Sequence, residues 1–145
     1  MRRAYLLAAI GFGCSAVSVH ALEASGAKQF VDKFVAGQKS DRGTGDAFAH
    51  SVSDINGDGK PDIVLVWNVV GPTTAWPHLT VFLDAGRNYR VLTAELDGQL
   101  EKLTVKGPDI FIDILMLGPK DARCCPTLKQ QMHVRWQGGK LVQLK

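Results

Sequence analysis

The chain lacks most of the features that announce an activity. None of its four histidines stands in a His-Glu-x-x-His segment, and no serine lies in a Gly-x-Ser-x-Gly frame, so neither zinc-protease nor α/β-hydrolase chemistry has its residues here. His50, His78 and His133 are scattered along the sequence with no motif around them. Cysteine is scarce, three in 145 residues. No His or Cys group has the spacing of zinc ligands, and no pair has the two-residue spacer of the common catalytic dithiols. Acidic residues are missing entirely before Glu23. Charge of one sign is also lacking. The formal net charge of +3 includes Arg2 and Arg3, and no basic stripe runs through the rest, so nucleic acid is not an expected partner.

The start of the chain has the pattern of an export signal. Arg2 and Arg3 form a basic head, 4–19 is apolar or small throughout, and Val19-His20-Ala21 ends in a small residue. That order predicts a cleaved secretory signal over 1–21. The apolar run falls short of the about 20 residues a membrane span needs, so no span is expected in the mature chain. Cys14 raises lipid attachment, but Gly11-Phe12-Gly13 before it lacks the aliphatic residue such sites carry. Cleavage near Ala21 lowers the net charge to about +1 and leaves roughly 120 residues, enough for one domain with a modest core. That domain is expected over 22–145, in the periplasm or secreted.

Periodicity predicts an α+β fold: mainly an antiparallel β-sheet meander with one N-terminal amphipathic helix. In 25–37, Ala27, Phe30, Val31, Phe34 and Val35 recur at three and four residues, which makes one apolar stripe. Ser25 is its expected cap and Gly37 its stop. The polar, glycine-bearing 38–45 reads as a loop. Strands are expected at 47–52, 63–70, 79–83, 89–95, 100–105, 109–117, 131–137 and 140–144. The run 63–70 is too apolar for an edge and reads as central. Gly138-Gly139 between two alternating segments is a strong hairpin signal. Trp67, Trp76, Trp136, Phe82 and Phe111 are expected in or beside the core, with Trp76, placed in a loop, the one most open to a surface role.

One stretch has chemistry written into its spacing: Asp54-Ile55-Asn56-Gly57-Asp58-Gly59-Lys60-Pro61-Asp62. Ca²⁺ takes six to eight oxygens, and a short loop supplies them from positions one, three, five, seven (by carbonyl) and nine. Asp54, Asn56, Asp58, the Lys60 carbonyl and Asp62 fit those slots. An all-oxygen set disfavours zinc and copper, and Mg²⁺ demands tighter geometry. Position twelve is Leu65, so the bidentate Glu of a helical EF-hand is missing and the affinity expected is on the order of 10⁻⁴ M. Without a cation, the three carboxylates should repel and raise at least one pKa. The metal-free alternative is an Asx-turn network.

That segment, continued by Ile63-Val64, resembles the calcium loop of the FG-GAP and VCBS repeat families of exported and cell-surface proteins. In those families the loop joins two strands and commonly holds Ca²⁺. They build β-propellers from several copies, whereas this chain has one, so the resemblance carries the loop and not the architecture. Asp121-Ala122-Arg123-Cys124-Cys125-Pro126 is similar to the Asp-x-x-Cys-Cys-Pro segment of small exported bacterial proteins and lipoproteins. Cys124 and Cys125 are adjacent, in a compartment that oxidises thiols. A disulfide between them would lock a turn, or else serve as a redox switch or a binding ring.

The expected function is therefore that of an exported non-enzymatic domain with a structural calcium loop, a binding or accessory protein for an envelope protein or glycan. A redox-active or hydrolase-inhibiting protein using the cysteine pair, or an enzyme without a familiar motif, are the alternatives.

Overall fold

The computed structural model describes residues 19–145, with side chains from Ser25 onward. The expected signal at 1–21, apart from the backbone of its last three residues, lies outside the described residues, as does Cys14.

Helix α1 spans Val19–Ala36, beginning six residues before the expected start, so Ser25 lies inside it and is not its cap. The added segment is rich in Ala, Leu and Glu, which favour helix. The helix stops as expected at Gly37, whose amide donates to the carbonyls of Lys33 and Phe34. No described helix is long and apolar enough to cross a membrane.

Nine strands follow. Five form one antiparallel sheet in sequence order: β1 (Lys39–Ser40), β2 (Gly43–Ser53), β3 (Asp62–Val70), β4 (Ala75–Asp84) and β5 (Tyr89–Glu95). Four form a second: β6 (Gln99–Lys106), β7 (Asp109–Met116), β8 (Leu128–Gln137) and β9 (Lys140–Leu144). The mainly antiparallel α+β meander, with a single helix among the described residues, is thus the observed fold, divided into two sheets.

The run at 63–70 is apolar on both sides because β3 is the middle strand and both its faces are covered. Alternate residues point to opposite faces. Ile63, Leu65 and Trp67, with Phe82 of β4, join Ala27, Val31 and Val35 of the helix in one cluster. Val64 and Val66, with Leu79, Val81 and Leu83, join Ile110, Ile112, Ile114 and Val134 of the second sheet in another. The layers are helix, five-stranded sheet, four-stranded sheet. Phe34 meets Trp67 and Phe82 edge-on, and Phe30 meets Phe82 the same way, a favoured aromatic geometry. The Trp67 indole donates to Thr80 Oγ1 at 2.9 Å, so the buried N–H is satisfied.

Two expectations are corrected. Residues 38–45, expected as loop, contain β1 and the start of β2. The glycines there serve close approach: a Cβ on Gly45 would fall on the Val35 carbonyl of the helix, and one on Gly43 would overlap the Val70 carbonyl. Trp76, expected in a loop, belongs to β4 and pairs with Val69; it is half-buried, with the Arg42 guanidinium 5.6 Å from its ring centre. The tip Gly138-Gly139 is a tight hairpin as expected, both φ positive at 60° and 81°. Arg90 of β5 lies over Trp136 and reaches the Gly139 carbonyl, tying that tip to the first sheet.

Candidate metal loop and neighbouring sites

The 54–62 segment leaves β2, bends, and enters β3. Gly57 and Gly59 turn it with φ of 77° and 81°, values that glycine adopts without strain. Asp54 sits at the centre of the bend. Its Oδ1 accepts the amides of Gly57 (2.7 Å) and Asp58 (3.2 Å), and its Oδ2 that of Gly59 (2.8 Å). Asn56 Oδ1 accepts the Asp58 amide, and Asp58 Oδ1 accepts that of Lys60. Lys60 is exposed as expected, its ammonium beside Gly86 of the next turn.

Asp62 differs from the others because it is fully buried. Its Oδ2 accepts the Ile55 amide at 2.9 Å and its Oδ1 accepts the Asp84 amide at 2.8 Å. One carboxylate thereby joins both ends of the loop to the β4–β5 turn. Burial pushes its pKa up, and the amides of Asp84, Ile55 and Asn56 pull it back; the charge of Asp58 is the smallest contribution. The expected rise is present, but desolvation causes it more than repulsion does. Ile55, between two candidate ligands, plugs the loop into the core between the sheets, 1% exposed.

Free lone pairs decide whether these oxygens can hold a cation. A carboxylate offers about four acceptor sites. The amides named above take three on Asp54 and three on Asp62, so each keeps one site for a cation. Asp58 is exposed, with Oδ2 held only by the Asn56 amide nitrogen at 3.1 Å. The oxygen set therefore fits a hard cation. Among the described residues, however, no three His, Cys, Asp or Glu side chains are drawn together at metal-binding distance, so the loop would have to tighten around an ion.

The second candidate is the connection between β7 and β8. Cys124 and Cys125 are joined as a disulfide between neighbours, both residues exposed. Asp121 organises the loop around them. Its carboxylate accepts the amides of Gly118 (2.8 Å) and Thr127 (2.7 Å) and the Thr127 hydroxyl (2.9 Å), bonds that hold its pKa below the usual carboxylate range. The Cys125 amide donates to the Ala122 carbonyl. In the Asp-x-x-Cys-Cys-Pro segment, then, the aspartate is the clamp.

Sequence reasoning missed a third group. Asp109 of β7 pairs bidentately with Arg135 of β8, both bonds 2.8 Å, and receives His133 Nε2 at 2.6 Å. These bonds, Arg135 first, hold the Asp109 pKa low. His133 stacks on Phe111 at 4.4 Å. The sequence separation of 26 residues hid the pair, which only the strand register brings face to face. No nucleophile completes His133 and Asp109 as a catalytic set among their described hydrogen bonds.

Fold and sites define the class: a helix-covered pair of antiparallel meanders carrying one glycine-bent acidic loop and one disulfide-bearing loop. No family model matches the chain, and no curated protein or solved structure matches it either.

Proposed function

We propose that this is an exported, non-catalytic accessory domain of the bacterial envelope whose 54–62 loop holds a calcium ion through Asp54, Asn56, Asp58, the Lys60 carbonyl and Asp62. The observation that supports it is the bend itself: backbone amides wrap Asp54, and Asp62 closes the ends, with oxygen capacity left on each. When bound, the ion would supply charge neutralisation to the carboxylates and nothing catalytic. Asp62 and Ile55 would pass that ordering to the core.

Melting curves with calcium and with chelator test the reading. Calcium at a hundredfold excess over its Kd should stabilise the parent by about 2.7 kcal/mol. Asp58→Ala should melt lower in calcium and lose most of the difference between the two buffers. Identical curves for the parent in both buffers would refute a working metal loop.

Exposure of the Cys124–Cys125 pair favours a second reading, thiol exchange. A reduction potential near about −200 mV, as in oxidoreductases, would support it. One below about −300 mV would mark a structural lock.

A further inference from the structure

We infer that this chain forms a two-fold dimer through β5, the outer strand of the five-stranded sheet, with the β5 of a second copy added antiparallel to it. The interface uses neither the metal loop nor the disulfide.

Among the described residues the outer strands of the two sheets are β1, β5, β6 and β9. A bare edge offers unpaired amides and carbonyls to another chain, and proteins blunt it with short strands, lysines, prolines or bulges. Three of these edges are blunted. β1 has two residues. β6 is broken by the register shift between Leu100 and Lys102, and carries Lys102 and Lys106. β9 has five residues and starts at Lys140, with Lys145 just beyond it. β5 has none of these devices: its seven residues pair with β4 in unbroken register. Arg90, the one cation in the strand, is turned toward the second sheet, over Trp136.

The ladder shows which groups face out. In an antiparallel pair, residues that exchange backbone bonds alternate with residues that do not. The Leu96 amide donates to the Pro77 carbonyl, and the Ala85 amide to the Asn88 carbonyl. Counting by twos between those ends, Arg90, Leu92 and Ala94 turn their amides and carbonyls to β4, while Tyr89, Val91, Thr93 and Glu95 turn theirs to the open edge. The side chains of these four lie on the helix side: Tyr89 meets Phe30 and Phe82, and Val91 is the cross-strand partner of Phe82. Tyr89 and Val91 are nonetheless 38% and 49% exposed. The cluster under the helix thus runs out to an apolar rim at the bare edge. A second β5 would pair those amides and cover that rim.

Charge selects a second copy as the occupant. The segment 87–97 is basic at its start, with Arg87 and Arg90, and acidic at its end, with Glu95 and Asp97. A two-fold axis at Leu92 sets Arg87 opposite the second copy's Asp97, and Tyr89 opposite its Glu95, each pair twice. Opposite signs meet only because the strands run antiparallel; a parallel partner would set like against like. The contact is self-complementary and closed. It consumes both bare edges, leaves only blunted ones, and stops at two chains.

The test is sedimentation of the whole mature chain over a concentration series up to about 1 mM, with amide hydrogen exchange read at both ends of the series. A species of twice the chain mass is expected. In it the Val91 and Thr93 amides should exchange more slowly, while those of Leu92 and Ala94, already bonded to β4, change little. Val91→Pro removes an outward amide that β4 does not use and should give a monomer. Val91→Lys, at an exposed side chain, should do the same if the proline variant does not fold. Arg87→Glu should weaken the dimer about tenfold, and Asp97→Arg added to the same chain should restore it. A monomer at every concentration, growth past two chains, a dimer that survives Val91→Lys in a folded chain, or indifference to both charge reversals would each overturn the assignment. So would Val91 and Thr93 amides protected already in the dilute monomer, because the chain itself would then cover the edge. Sedimentation in chelator keeps the outcome independent of the metal loop.

Discussion

The two longest connections between strands, 54–61 and 117–127, are both organised by aspartate, but only one is wired to the core. Asp62 is buried and holds the Ile55 and Asp84 amides, which belong to separate segments. Asp121 is half-buried and holds Gly118 and Thr127, the two shoulders of its own loop. The disulfide in that loop likewise links a residue to its neighbour. The first loop is therefore coupled to global stability, and the second is a self-contained cap that can change state while the sheets stay as they are. This difference explains why a cation in the first would matter to folding, and why oxidation of the second would not.

Replacement of Asp62 should have the largest effect. Asp62→Ala strands two amides, and each unmade buried bond costs about 1–3 kcal/mol. A loss of about 2–5 kcal/mol in urea denaturation is expected in chelator, because the contacts to Ile55 and Asp84 do not depend on an ion, and a larger one in calcium, where the variant also lacks a ligand of the proposed ion. If the variant is as stable as the parent, the loop is not coupled to the core.

Acid separates the carboxylates by sign. Asp109 and Asp121 have folded pKa values below their unfolded ones. Their stabilisation is full above the ordinary carboxylate value of about 3.9 and is lost as pH falls through the lowered folded values. Asp62 runs the other way: its raised pKa keeps the folded chain protonated where the unfolded chain is not, so its ionisation opposes folding as pH rises above about 3.9. Asp109→Asn should therefore lose less stability on acidification than the parent, read by denaturation at a series of pH values.

Asp121→Ala should lower the melting temperature by less than Asp62→Ala does, and should speed proteolytic cleavage between Gly118 and Thr127. Equal melting losses for the two variants would erase the distinction between the loops. The smallest effect is expected from reduction of Cys124–Cys125. The ring it closes is too small to restrict the unfolded chain appreciably, so denaturation with and without reductant should agree within about 0.5 kcal/mol.

Strands were legible wherever apolar residues alternated or ran between glycines, and the central position of β3 followed from a run with no polar face. The helix was legible from Ala27, Phe30, Val31, Phe34 and Val35, though not its first turns. Gly43 and Gly45 misled, since glycine marks both a flexible loop and a backbone pressed against another, and local sequence does not separate the two. In the site, the oxygen spacing was visible, while the roles of Ile55, Asp84 and Asp121 were not.

The sequence by itself determined which segments bend, which bury, and where oxygen donors recur, because those are properties of neighbouring residues. Tertiary structure alone decided that the meander splits into two facing sheets, that Asp62 is the buried latch among the loop's carboxylates, and that Asp109 meets Arg135. Those outcomes depend on strand register and on which surfaces exclude water, and both are set by residues far apart in the chain.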